Sequence, residues 1–90
     1  MKKNAKINAE IFRAMTSVDG WRRAQMANGN HGFQYVVVNS VRGTVFRLPR
    51  ANGWHWASDD GRNTAIAGEP AMSLSAAKKA CRNHYEMRTR

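Results

Sequence analysis

Cys81 and His84 are the first pair whose types and spacing invite chemistry. Three residues apart on a helix, they are close enough for an imidazole to draw the proton from a thiol. A reactive thiolate needs an electropositive, partly exposed setting. Cys81 instead falls on the apolar repeat Leu74, Ala77, Cys81, Tyr85, which predicts a buried structural thiol. His31 and His55 would extend the pair to four zinc-ligand types, yet one Cys with scattered His lacks the spacing of a zinc site. Asp59 and Asp60 are adjacent and point apart on an extended chain, so they suit a turn better than general acid–base catalysis. Gly29, Gly32 and Gly43 lack the spacing of a phosphate-cradling loop, and no Gly-Lys-Ser/Thr follows. The expectation is a protein that is not an enzyme, with no cofactor, metal or small-molecule substrate.

Binding chemistry is better represented. The 90 residues carry 15 Lys and Arg against six Asp and Glu, a formal charge of +9. Ten of the cations are Arg, the side chain that forks onto phosphate, stacks on bases and pairs with carboxylates. The surplus is uneven: residues 1–50 hold net +7 and residues 51–90 net +2. Such a field favours encounter with polyanions, although the same charges also serve as a solvated surface. The candidate contacts are Arg42, Arg47 and Arg50 beside the predicted strands, and His55 between Trp54 and Trp56. A β-ribbon can present such side chains to base edges or phosphates in the major groove. Alternatively the two tryptophans are core and the arginines lie along its rim. Lys78, Lys79 and Arg82 form a second basic patch on the last helix, and Lys2, Lys3 and Lys6 a basic N-terminal arm.

The elements that must position these groups can be read from periodicity. Ile7, Ile11 and Met15 repeat at i, i+4, i+8 with Phe12 alongside, which predicts an amphipathic helix over Asn4–Thr16. A short second helical piece, Trp21–Ala27, is expected to end at Asn28-Gly29, giving a helical segment over 1–30. From Phe33 the period becomes two. Strands are predicted over Phe33–Val38, Thr44–Leu48 and Trp54–Ser58, with Ser40–Gly43 as a turn and Asn52-Gly53 as a hairpin signal. Thr64–Ala67 is a possible short fourth strand. A last helix over 73–88 takes its N-cap from Ser73 or Ser75. The expected fold is one α+β domain over 1–90: an N-terminal helix, a three-stranded antiparallel meander over 33–67, and a C-terminal helix covering one sheet face.

Two resemblances follow from these residues. Val41-Arg42-Gly43, Trp54-x-Trp56-Ala57 and Ser73-Leu74-Ser75-Ala76-Ala77-Lys78-Lys79-Ala80 resemble the three-stranded-sheet-plus-helix DNA-binding domains of the AP2 and integrase arm-binding kind. That resemblance implies a DNA-reading sheet with a small-residue helix packed behind it, although Arg62–Met72 lacks the aromatic strand found there. The helix–sheet–helix order with Lys78-Lys79 is also similar to double-stranded RNA-binding domains, without their first-helix and loop motifs. In style, a short basic chain without enzyme motifs resembles small bacteriophage proteins, both DNA-binding regulators and inhibitors of host proteins. The longest apolar run is Tyr35–Val38, far short of the roughly 18–20 residues of a membrane span. No apolar stretch follows Lys2-Lys3, and a single cysteine fits a reducing cytoplasm. The leading expectation is nucleic-acid binding, DNA before RNA; the alternative is a phage-type inhibitor docking on an acidic host-protein surface, in the anti-CRISPR or anti-restriction manner.

Overall fold

Among the described residues, strand pairing begins at Trp21. The structure, a computed structural model, describes residues 20–89, so the helix expected over Asn4–Thr16 and the arm of Lys2, Lys3 and Lys6 lie outside it. Strands β1 (Trp21–Gln25), β2 (His31–Val37), β3 (Ser40–Phe46) and β4 (His55–Ser58) form one antiparallel sheet in chain order, followed by helix α1 (Leu74–Arg88). The class is α+β, with four strands where three were expected.

The added strand corrects the short helix expected over Trp21–Ala27. Trp21 pairs with Tyr35 and Gln25 with His31, and Asn28-Gly29 turns the hairpin with Gly29 at φ +85°. Arg, Ala and Gln favour helix over strand by only a few tenths of a kcal/mol each. Burying an aromatic side chain is worth about 1.5–3 kcal/mol, and Trp21 is 1% exposed with its ring 5.2 Å from that of Tyr35. Burial wins.

Two further expectations change. Ser40–Gly43 is not a turn but the start of β3; the chain reverses at Val38-Asn39, both at positive φ as two-residue hairpin turns require. Thr64–Ala67 is not a strand. The Asn63 side-chain oxygen accepts from the amides of Ala65 and Ile66, and Ala67 N donates to Asn63 O, winding the segment into a turn. The outer edge of β4 is nonetheless occupied, through bridges Trp54↔Met72 and Ala57↔Asn63.

Helix α1 begins where expected. The Ser73 hydroxyl accepts from Ala76 N at 3.2 Å, a cap worth about 1 kcal/mol. Its apolar stripe lies over β3 and β4, with Ala77 and Cys81 buried against Val45 and Trp56, and Leu74 and Tyr85 at the margins. Gly43 permits the closest approach, since a Cβ there would collide with Cys81 Sγ. No helix among the described residues is long and apolar enough to cross a membrane.

Candidate nucleic-acid interface

The sheet face under α1 carries a chain of aromatic rings. Trp54 and Phe33 stand 5.9 Å apart between ring centroids, Trp21 and Tyr35 5.2 Å, and Tyr35 and Tyr85 5.8 Å. Alternation along β4 therefore sets Trp54 and Trp56 on the helix side. Trp56 packs against the His84 ring at 5.3 Å. Cations lie over these rings: Arg47 over Trp54 at 5.1 Å, and Lys78 over Phe33 at 4.2 Å and Trp21 at 5.5 Å. Rings under a cation hold its position while leaving its charge in water.

At the C-terminal end of α1 the cations are neutralised. Arg42 sits at the irregularity where Tyr35 pairs with Gly43 but Val36 with Val41, an extra residue in β3 that re-aims its side chain. It reaches Asp59 at 3.3 Å and lies 5.8 Å from the Tyr85 ring centre. Arg88 pairs with Asp59 and with Asp60, and His84 Nε2 lies 2.8 Å from Asp60 Oδ2. Partial desolvation works to raise the Asp59 pKa, but hydrogen bonds and charge from Arg42 and Arg88 outweigh it and hold the carboxyl below its usual value. The His84 hydrogen bond is the main cause that brings Asp60 down to about 2. Arg62 is paired with Glu69.

The other cations keep no such partner. Among the described residues, no carboxylate stands within ion-pair distance of Arg23, Arg47, Arg50, Lys78, Lys79 or Arg82. Arg50 is exposed in the β3–β4 loop at φ +61°, and the Arg47 carbonyl there accepts from the Asn28 side chain at 3.0 Å. Lys78, Lys79 and Arg82 line a groove of about 500 Å³ where α1 runs past Trp21, together with Ser75 and Asn83. Glu86 stands in the same groove, the one acid among its described lining residues.

The seven expected contact residues thus separate. Arg47, Arg50, Lys79 and Arg82 present accessible charge, and Lys78 presents its ammonium above two rings. Arg42 is committed to Asp59. His55 is 7% exposed on the opposite sheet face, its Nδ1 3.1 Å from the Thr64 hydroxyl, which also accepts from Trp56 N. Its ring stands 6.2 Å from that of Phe46. Alternation separates His55 from the two tryptophans without fixing which face either takes, and gives no sign that Thr64 would close over it. Arg23, paired across from Phe33, was not singled out from sequence; reading Asn28-Gly29 as a hairpin turn would have put it on the same face.

Cys81 is set apart from the imidazole of His84. Burial, with a smaller push from Asp59, raises the Cys81 thiol to about 12, and His84 faces Asp60 and Trp56 instead. Among the described residues, no three His, Cys, Asp or Glu side chains gather as metal ligands. No family model, curated protein or solved structure matches the chain.

Proposed function

We propose that this protein is a small, non-enzymatic nucleic-acid-binding module that holds DNA through Arg47, Arg50, Lys78, Lys79 and Arg82. The observation that carries the reading is the sorting of charge: four described acids accompany ten described cations, and three of those acids are spent on Arg42, Arg62, Arg88 and His84. The remaining cations form a field with little opposing charge, the electrostatic signature of a phosphate-binding surface. The test is a mobility shift on a random-sequence duplex across a salt series. Wild type is expected to lose affinity linearly in log salt, by about 0.9 in slope per phosphate contact. Arg47→Ala and Lys78→Ala should each flatten that slope by about 1. Weak binding that neither salt nor either substitution alters would remove the proposal.

A second reading, an inhibitor docking on an acidic host-protein surface, draws on Val38. This β-branched residue holds φ +49° at a hairpin tip and is 89% exposed, an apolar group in a strained turn that no intramolecular packing rewards. It predicts a stoichiometric protein complex that Val38→Asn weakens, with no duplex binding.

A further inference from the structure

Within the surface just described, one place is organised beyond a scatter of charges. Lys78 and Arg82 are four residues apart on α1 and Lys79 and Arg82 three, so both pairs juxtapose like charges on one helix surface. Such pairs disfavour a free helix, and among the described residues only Glu86 opposes them in the groove. The Lys78 side chain is already immobilised, its ammonium 4.2 Å from the Phe33 ring centre and 5.5 Å from that of Trp21. A cation held in place before the ligand arrives loses less freedom on binding. Ser75 and Asn83 add a hydroxyl and an amide capable of donating to oxygen. Donors predominate, the charge is positive, and the space would hold more than a dozen waters at about 30 Å³ each.

We propose that this groove, between α1 and the start of β1, is the anchoring site for phosphate groups of a nucleic-acid backbone, engaged by Lys78, Lys79 and Arg82 without regard to base sequence. The inference rests on the nucleic-acid reading above and assigns its anchor. Indifference to sequence follows from the ligand, because phosphate oxygens are the same at every base pair. The rings add no stacking grip: Trp21 is buried, Phe33 lies under Lys78 and Trp54 under Arg47, and among the described residues no aromatic side chain is among the large exposed apolar groups. Base stacking, the usual means by which such surfaces grip single strands, has no free ring here among the described residues. Phosphate contact remains.

The test pairs two probes. Inorganic pyrophosphate is titrated into ¹⁵N-labelled protein, and two duplexes of unrelated sequence are titrated at several salt concentrations, each also with a methylphosphonate backbone. Pyrophosphate is expected to shift the amides of Lys78, Lys79, Arg82 and Asn83 and to raise the melting temperature. Both native duplexes should bind alike and their neutral-backbone forms weakly. Lys79→Gln/Arg82→Gln should flatten the salt slope by about 2. In the absence of ligand, the same double variant should melt no lower than wild type, because a like-charge cluster has been removed. If duplex binding persists with an unchanged slope in the double variant and pyrophosphate shifts lie elsewhere, the groove is overturned while the nucleic-acid reading stands. If pyrophosphate titrates the groove but neither duplex binds, the nucleic-acid reading is overturned, and with it the backbone as ligand. Strong preference for one duplex overturns sequence indifference.

Discussion

The two ends of α1 use the same side-chain types in opposite ways. Toward the C-terminus, Arg88 and His84 meet Asp59 and Asp60, Arg42 joins from β3, and positive charge is consumed in tying the helix to the loop after β4. Toward the N-terminus, Lys78 rests on Phe33 and Trp21, Arg47 rests on Trp54, and Lys79 and Arg82 stand beside them with no carboxylate among the described residues in ion-pair range. Aromatic rings lie under cations at both ends, Tyr85 under Arg42 and Arg88 and Phe33, Trp21 and Trp54 under Lys78 and Arg47, but among the described residues carboxylates join them only toward the C-terminus. A ring leaves the charge of its cation unspent. Net charge alone, +9 over the chain, does not reveal which cations remain available. Geometry does.

The two regions are joined at mid-helix, where Cys81 sits on Gly43, and breaking that junction should have the largest effect. Gly43→Ala places a methyl against Cys81 Sγ and is expected to cost about 1–3 kcal/mol. For a domain of this size that is a fall in melting temperature of roughly 4–8 °C per kcal/mol, readable by calorimetry. Binding at the helix N-terminal half should weaken alongside. A variant with unchanged melting would mean the helix is not seated as described.

Removing a carboxylate from the neutralised end should blur the contrast. Asp59→Asn releases Arg42 and leaves Arg88 to Asp60 alone, so stability is expected to fall by up to about 1 kcal/mol, the scale of a partly exposed ion pair. DNA affinity at low salt should rise, about twofold for one more unscreened surface charge. Loss of affinity would place the ion cluster inside the binding surface. Val38→Gly acts outside both regions and should stabilise by about 0.5–1 kcal/mol, because glycine adopts the positive φ that strains valine. Its denaturation midpoint should rise while the salt slope of DNA binding stays fixed.

Acid titration separates the regions without mutation. Asp60 ionises at about 2 in the folded protein against 3.8 for an unperturbed carboxyl, and Asp59 is also lowered. As pH falls, the unfolded chain takes up these protons first. The contribution is therefore present above about pH 4 and lost between pH 4 and about 2. Melting temperature should decline across that window, and less steeply in Asp60→Asn. An identical profile in the variant would show that the 59–60 loop does not couple to folding.

Much of the scaffold was legible in the sequence, and the failures have physical causes. β-Branched and aromatic content over Phe33–Val38 and Trp54–Ser58 announces strands, found at His31–Val37 and His55–Ser58, and Ser73 or Ser75 announces the helix start, found at Ser73. Trp21–Gln25 reads as helix because Arg, Ala and Gln carry helical propensity, while the strand is held by partners six to 14 residues away. The turn at Val38 was hidden because valine is a poor signal for positive φ. Among the candidate contacts, charge and exposure were legible, but partnership was not. Nothing in Arg42 or His55 as residue types told of Asp59 or Thr64, which approach from 17 and nine residues away.

A charge-matched pair of variants decides whether location or total charge selects the cations that bind. Lys79→Gln and Arg62→Gln each remove one positive charge, but Arg62 is already paired with Glu69, whereas Lys79 faces the open groove. Salt-dependent affinity for one duplex should lose about 1 from its slope in Lys79→Gln and nothing measurable in Arg62→Gln. Equal losses in the two variants would contradict the account.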